Sequence, residues 1–390
     1  MNGRILPIII FSQFCCASIW FATNGILTDL AIYFSFGKES LADLTSAVQF
    51  GFIVGTLFFA LFTISDRFSP SIVFFVSSLL GAAFNLATLV PINNLQSLMG
   101  LRFFTGICLA GIYPVGMKIA ADYYEKNLGK SLGLLVGALV LGTAFPHFLN
   151  LIAAFINWKI VIFLTSGLAL SGGILMVVLV PNGPYRKPSQ RADFRAFFSV
   201  FRLREFRSAA FGYFGHMWEL YTFWAFIPLI LSFYSATNNL DINIPLWSFL
   251  IIGIGAPACV LSGYISEKAG YKKVAATSLF LSFLCCLASP FIFQRSGFFT
   301  LISFLLFWGF TVVADSPLFS TLVAQNAPTE KKGTALTIVN CIGFAITILS
   351  LQALSVLQNL IPFRYLFLVL AIGPIMGLIS ISQWKFRVSS

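Results

Sequence analysis

Twelve apolar segments, each long enough to cross a lipid bilayer, follow one another along the 390 residues of the chain. A helix needs about 20 mostly apolar residues to span the hydrocarbon core of a membrane. Only 9% of the residues are charged, whereas soluble domains carry about 25%. Because only helices and closed barrels satisfy their backbone polar groups in lipid, the sequence predicts an all-α membrane protein with twelve transmembrane helices. The segments lie near residues 5–33, 42–64, 70–91, 95–121, 131–154, 159–180, 209–234, 244–266, 274–293, 298–325, 333–358 and 363–384.

The basic residues are distributed unevenly between the two sides of the predicted membrane. Most of the 24 Lys and Arg residues fall at the two termini and in the loops that follow even-numbered spans. Loops rich in Lys and Arg face the cytoplasm. Both termini are therefore predicted to be cytoplasmic, in a multi-pass protein of the cell inner (plasma) membrane. The net charge of +11 reports this topology, so the expected partner is the lipid bilayer and no nucleic acid is needed to explain the charge.

Residues 181–208 form the long connection that separates six predicted spans from six. The connection begins with prolines and then becomes basic and aromatic, which is typical of a helix resting on an anionic membrane surface. We therefore expect an N-terminal six-helix bundle at 1–180, a basic cytoplasmic linker at 181–208 and a C-terminal six-helix bundle at 209–390. Parallel repeats of this kind are one standard arrangement of secondary transporters.

A charged hinge joins the eighth and ninth spans, and a weaker copy joins the second and third. The complete hinge reads Gly263-Tyr264-Ile265-Ser266-Glu267-Lys268-Ala269-Gly270-Tyr271-Lys272-Lys273. The weaker copy keeps Asp66 and Arg67. Two copies of an acid–base turn about half a chain apart indicate two homologous halves.

The complete hinge resembles the loop 8–9 signature of the major facilitator superfamily, and Asp66-Arg67 resembles the loop 2–3 copy. Arg102-x-x-x-Gly106 in the fourth span is similar to a second motif of that superfamily. The first hinge departs from the pattern, because Phe62 stands where a glycine is usual. The resemblance implies a bacterial-type secondary transporter that moves a small solute by alternating access. It assigns no subfamily. We also expect a monomer with no cofactor, and no enzyme, because a membrane enzyme would need a catalytic cluster that His147 and His216 on separate spans do not form.

The resemblance further implies a latch that closes the cytoplasmic side. Each hinge acid in the family rests against a helix of the opposite half, where the partial positive charge of a helix start stabilises it. Asp66 would face the start of the eleventh span near Gly333, and Glu267 would face the start of the fifth near Gly129. The alternative is that these charges only mark topology. The residues carried over as gating groups are Asp66, Arg67, Asp122, Gly263, Glu267, Lys268 and Gly270, with a pair between Arg67 and Asp122.

Ionisable residues inside the predicted spans are confined largely to spans one, four, seven and ten, which surround the cavity in this transporter fold. Each costs about 2.5–3.5 kcal/mol at the bilayer centre, so each needs a reason. His216 and Glu219 are three residues apart and share a helix face. Asp315 lies just before Pro317, where a helix break is expected. Glu219, Asp315 and His216 are therefore predicted to couple transport to protons, and the alternative is a structural hydrogen-bonded group.

The solute itself is not identified by any motif. The residues predicted to line the substrate cavity are Arg102, Asn24, Tyr221, Trp224 and Asp29. Arg102 and Asp29 could bind the solute or pair with each other. The arginine permits a small organic anion and the acids permit a cationic drug, so uptake symport and efflux antiport both stay open. A transporter-like sensor without turnover is the rival class. No His and Cys set has the spacing of a metal site.

Overall fold

The computed structural model describes residues 4–37, 40–123, 128–153, 156–186, 200–295, 297–328 and 331–383, without the side chains at 66, 128–130 and 294–295. All regular secondary structure in these ranges is helical, which confirms the all-α prediction. The helical units are α1 (Ile5–Ala17 and Leu27–Tyr33), α2 (Ser40–Leu61), α3 (Pro70–Ala87), α4 (Leu95–Ala110 and Tyr113–Tyr123), α5 (Leu128–Ala153), α6 (Lys159–Leu179), α7 (Arg204–Asn238), α8 (Ile244–Gly253 and Gly255–Ala269), α9 (Tyr271–Arg295), α10 (Phe298–Ala314 and Ser316–Asn326), α11 (Lys332–Leu357) and α12 (Phe363–Leu366 and Ile372–Ser382).

Eleven of these units are long and apolar enough to cross a membrane within the described ranges. The exception is α1, because its predicted span at 5–33 is divided into two short helices. Residues 18–23 between them form turns, and a short 3-10 segment follows at Asn24–Ile26. The apolar composition of this span hid the interruption from the sequence.

The break in α10 was predicted and is confirmed. The first part of α10 ends at Ala314, Asp315 caps both parts, and the second part begins at Ser316. Pro317 occupies the first turn of the second part, where its missing N–H leaves no unmade hydrogen bond. The break places a carboxyl group at the middle of a buried helix, since Asp315 is 1% exposed.

Two of the helix pairs that join the first six helices to the last six are α5 with α8 and α2 with α11. In α5, a Cβ atom built on Gly133 or Gly137 would lie 3.1 Å from a backbone oxygen of α8, that of Cys259 or Ala256. The two backbones therefore approach closely along this small-residue face. Between α2 and α11, Gln352 Nε2 donates to the side-chain oxygen of Asp43 at 3.2 Å. The division at 181–208 stays a prediction, and residues 187–199 of the linker lie outside the described ranges.

The molecule has two ends, which we name by their loops. The linker face carries residues 180–186, the short helix Ile64–Arg67 and the turn between α8 and α9. The opposite face carries residues 88–94, 239–243 and 358–362. At the linker face, α8 ends at Gly270, whose φ of 88° belongs to the region that only glycine enters without strain.

Candidate functional site

Two cavities lie between the helices, one towards each face. The linker-face cavity has a volume of about 780 Å³, and Lys118, Glu267 and Lys332 are among its lining residues. The opposite-face cavity has a volume of about 620 Å³, and its lining includes Asp29 and His147. Both volumes are in the range of small-molecule sites.

A layer of buried aromatic rings separates the two cavities, and we call it the aromatic barrier. The Trp20 ring stacks on the rings of Tyr221 and Phe344, with centroids 5.9 and 5.8 Å apart. On either side, Phe52 lies 5.0 Å from Trp20, and Trp224 lies 5.3 Å from Tyr221. The first six helices supply Trp20 and Phe52, and the last six supply the other three rings. The barrier is thus made jointly by both halves of the chain.

Helix α7 passes from one cavity to the other across this barrier. Tyr221 and Trp224 line the linker-face cavity, whereas Ala225 and Phe226 line the opposite one. The predicted cavity residues Tyr221 and Trp224 are thus brought together at the barrier. Tyr113 of α4, also on the linker-face side, shares this wall.

Arg102 lines neither cavity, contrary to the expectation from its position. Its side chain is fully buried and donates from Nη1 to the carbonyl oxygen of Ile19 at 3.0 Å. Its Nη2 donates to the carbonyl oxygen of Trp20. These carbonyls belong to the interrupted part of α1, where no next helical turn supplies the N–H groups they need. Among the described residues Arg102 forms no ion pair with Asp29, which lies half-buried at the opposite-face cavity.

Glu219 lies behind the cavity wall, on the side of α7 that faces α9 and α10. Three groups donate to its Oε1 atom: Ser282 Oγ at 2.5 Å, Trp308 Nε1 at 2.6 Å and Cys286 Sγ at 3.3 Å. The carboxyl group is 1% exposed. Convergence of several donors on one oxygen is typical of charge-assisted hydrogen bonding to a carboxylate.

His216 and Asp315 meet inside the last six helices. His216 Nδ1 lies 2.8 Å from Asp315 Oδ1, and both side chains are 1% exposed. The contact is an ion pair only when the imidazole is protonated and Asp315 is ionised. His216 was expected to interact with Glu219 three residues along, but each group finds its partner on a neighbouring helix. The sequence did not identify Trp308, Ser282 or Cys286 as partners. Each lies in an apolar span, and nothing in the neighbouring residues indicates that its side chain makes a hydrogen bond to another helix.

The remaining predicted residues are distributed between the two faces. Asn24, in the interrupted part of α1, lines the opposite-face cavity and donates from Nδ2 to Thr45 Oγ1 at 2.8 Å. Glu267 lines the linker-face cavity together with Gly333, near which the other hinge acid, Asp66, was expected. Asp66 and Gly129 have side-chain positions outside the described set, so the latch stays a prediction.

Four further gating residues were expected in or beside the hinges. Arg67 is exposed, and its pair with Asp122 stays a prediction. The backbone carbonyl oxygen of Asp122 accepts from the backbone N–H of Tyr185 at 3.0 Å. In the second hinge, Gly263 is buried within α8, and Lys268 lies in the last turn of that helix, where a cation complements the helix dipole.

Comparison with known proteins matches this architecture. A model of the Major Facilitator Superfamily matches residues 9–351. The chain belongs to the major facilitator superfamily. An uncharacterized transporter of Buchnera aphidicola subsp. Baizongia pistaciae is 30% identical over 157 residues, which cover 39% of this chain and 39% of that protein. The sialic acid transporter NanX of Escherichia coli (strain K12) is 24% identical over 272 residues, covering 64% of this chain and 62% of NanX.

The fold of this superfamily member is also similar to a solved structure. The crystal structure of the human organic anion transporter MFSD10 (TETRAN) aligns with a TM-score of 0.77 over 97% of this chain and 99% of that one, at 14% identity. At this identity the likeness shows the fold alone. The matched segments span less than two thirds of the length of the curated relatives described above.

Proposed function

We propose that this superfamily member is a secondary active transporter that moves a small solute across the membrane by alternating access, coupled to protons. The observation that carries the proposal is the pair of cavities on opposite faces, divided by one aromatic barrier. A solute in one cavity can pass to the other cavity, and so to the other face, only when the barrier rings separate. Because both halves supply those rings, a change in the angle between the halves opens the barrier.

The proton-coupling part of the proposal rests on the two faces of α7. One face carries Tyr221 and Trp224 in the barrier, and the other carries His216 and Glu219 against α9 and α10. Loading or releasing a proton on Glu219 changes the strength of three hydrogen bonds at once. Such a change shifts the preferred position of α7 against α9 and α10, and the barrier rings on α7 move with it. The charged groups therefore act on the cavity from behind its wall.

The proposed orientation places the linker face in the cytoplasm of a cell whose inner membrane holds the protein. Glu267 and Lys332 at the mouth of the linker-face cavity would then take part in the cytoplasmic latch. Closure of this latch would favour the state that is open to the other side. The family relation supports this orientation, as does the excess of Lys and Arg in the loops of that face.

The decisive test measures transport in proteoliposomes with an imposed pH gradient and a panel of small organic acids, sugars and amines. We expect one solute class to accumulate only while the gradient lasts. Accessibility is followed in parallel with Ser320→Cys in the linker-face cavity and Ser355→Cys in the opposite one. A membrane-impermeant thiol reagent should label the two positions in opposite senses when solute is added. Solute binding without flux, and without this reciprocal labelling, would instead indicate a sensor.

A further inference from the structure

Two indole N–H groups in the aromatic barrier have no hydrogen-bond acceptor within the described ranges. They are Nε1 of Trp20 and Nε1 of Trp224, in side chains that are 0% and 1% exposed. A buried donor without a partner costs free energy, and native proteins rarely leave one. By contrast, Trp218 and Trp308 donate their N–H groups to a backbone carbonyl and to a carboxylate. The barrier is therefore one place among the described residues where buried donors lack an acceptor.

A glutamine with an unpartnered amide lies on the face of α2 that packs against the interrupted part of α1. Gln49 is fully buried on α2, and neither its Nε2 nor its Oε1 atom has a partner in the described set. Four residues earlier Thr45 accepts from Asn24, and three residues later Phe52 packs on Trp20. Residues spaced in this way share one helix face. Gln49 thus faces the interrupted part of α1 between two of its contacts.

The same segment of α1 is in contact with an uncompensated positive charge on α4. Arg102 binds the carbonyl oxygens of Ile19 and Trp20, its Nε atom has no partner, and no carboxylate pairs with it among the described residues. Carbonyl dipoles satisfy hydrogen bonds but do not neutralise a guanidinium. A buried charge without a counter-ion is expensive. An anion bound next to the Trp20 ring would supply that counter-ion.

We propose that the aromatic barrier is the recognition site for a flat organic carboxylate. The carboxylate accepts from the indole N–H groups of Trp20 and Trp224 and from the Gln49 amide, while Arg102 supplies the balancing charge from behind the α1 turns. The planar body of the solute takes the place of one ring in the stack, between Trp20 and Tyr221 or Phe344. This assignment rests on the proposed transport function, because it names the solute class for that same path.

The charges nearest the barrier favour an anion over a cation. Glu219 and Asp315, the acids that could hold a cation, point away from the barrier and bind partners on α9 and α10 or on α7. The unpartnered atoms of Trp20, Trp224 and Gln49 are three N–H-bearing nitrogens and one acceptor oxygen, Gln49 Oε1. An ammonium group would meet these donors and the Arg102 charge.

Direct binding tests this inference without requiring transport. The probe is radiolabelled benzoate, applied to the full-length protein purified in detergent and measured by scintillation proximity, with unlabelled benzamide and benzylamine as competitors of equal size. We expect saturable benzoate binding, and at least about tenfold weaker competition by neutral benzamide, since a hydrogen bond to a charged group is stronger than one to a neutral group. Benzylamine should not compete.

Variants locate the site. Trp20→Phe, Trp224→Phe and Gln49→Leu should each weaken benzoate binding at least about tenfold, because each removes one donor to a carboxylate. The matched control is Trp218→Phe, since Trp218 already donates to the carbonyl of Val369 at 3.0 Å and should keep wild-type affinity. Gel-filtration profiles identify any variant that fails to fold, and Trp224→Tyr then replaces Trp224→Phe.

The outcomes separate this inference from the proposed function. Absence of saturable benzoate binding, equal binding of benzamide, or equal loss in Trp218→Phe would overturn the carboxylate site. Benzoate binding without flux in proteoliposomes would uphold the site and contradict the transport proposal. Flux of an amine or a sugar without benzoate binding would uphold the transport proposal and contradict the carboxylate site.

Discussion

Replacing Glu219 by glutamine should abolish proton-driven accumulation while leaving the protein about as stable as before. Glutamine keeps the length of the side chain and an oxygen that can accept from Ser282, Trp308 and Cys286. Hydrogen bonds to a charged group contribute about 1.5–3 kcal/mol, against about 0.5–1.5 kcal/mol for a neutral one. The three bonds together therefore lose roughly 3 kcal/mol. Removing a buried charge recovers about 2.5–3.5 kcal/mol on insertion scales, so the two effects nearly cancel.

Glu219→Leu provides the contrast, because it removes the acceptor as well as the charge. The hydroxyl of Ser282 and the indole of Trp308 would then be buried without their partner, at about 1–3 kcal/mol each. Thermal unfolding in detergent should show Glu219→Gln within about 1 kcal/mol of the wild type and Glu219→Leu clearly below it. Asp43→Asn serves as the control acid, since Asp43 binds Gln352 between α2 and α11, away from this cluster.

Transport assays complete the experiment on Glu219. Solute exchange at equal pH should survive in Glu219→Gln, because it needs the barrier but no net proton movement, while accumulation driven by a pH gradient should be lost. Gradient-driven accumulation that persists in Glu219→Gln would refute the coupling argument. A loss of stability well beyond 1 kcal/mol in this variant would show that the group is structural.

Other substitutions test the remaining features of the fold. Gly270→Ala should lower the free energy of unfolding by about 1–3 kcal/mol through the positive φ of this residue alone, since no atom lies near enough to clash with the added methyl group. The control is Gly100→Ala, which is equally unobstructed but lies within a helix, and it should show no such loss in the same melting assay. Gly137→Leu should separate α5 from α8 and stop flux in proteoliposomes without loss of expression, and normal flux would contradict the close packing. His216→Leu should destabilise by about 3–5 kcal/mol by leaving Asp315 buried without its partner, and a joint His216→Leu and Asp315→Leu change should recover most of the melting temperature.

The helical architecture follows from composition and spacing. Apolar runs of membrane length leave the backbone no alternative to helices in lipid, so all twelve units could be predicted from their lengths. The break at Asp315 could also be predicted, because Pro317 acts locally through its own missing N–H. The ionisable residues on α7 and α10 predicted a buried polar cluster, because inserting a charge into the membrane costs free energy unless the charge has a partner.

The partners of those charges depend on how the helices pack. His216 and Glu219 are three residues apart and share a helix face. Nevertheless, His216 contacts a residue of α10, and Glu219 accepts hydrogen bonds from residues of α9 and α10. Arg102 binds backbone carbonyls because α1 unwinds beside it, and an apolar run gives no sign of where it will unwind. The sequence alone therefore determined which segments span the membrane and which of them carry charge. Only the tertiary structure decided which groups meet. Hydrogen bonds between helices depend on how each helix is rotated and how deep it lies in the membrane, and both are fixed by packing against side chains that are distant in sequence.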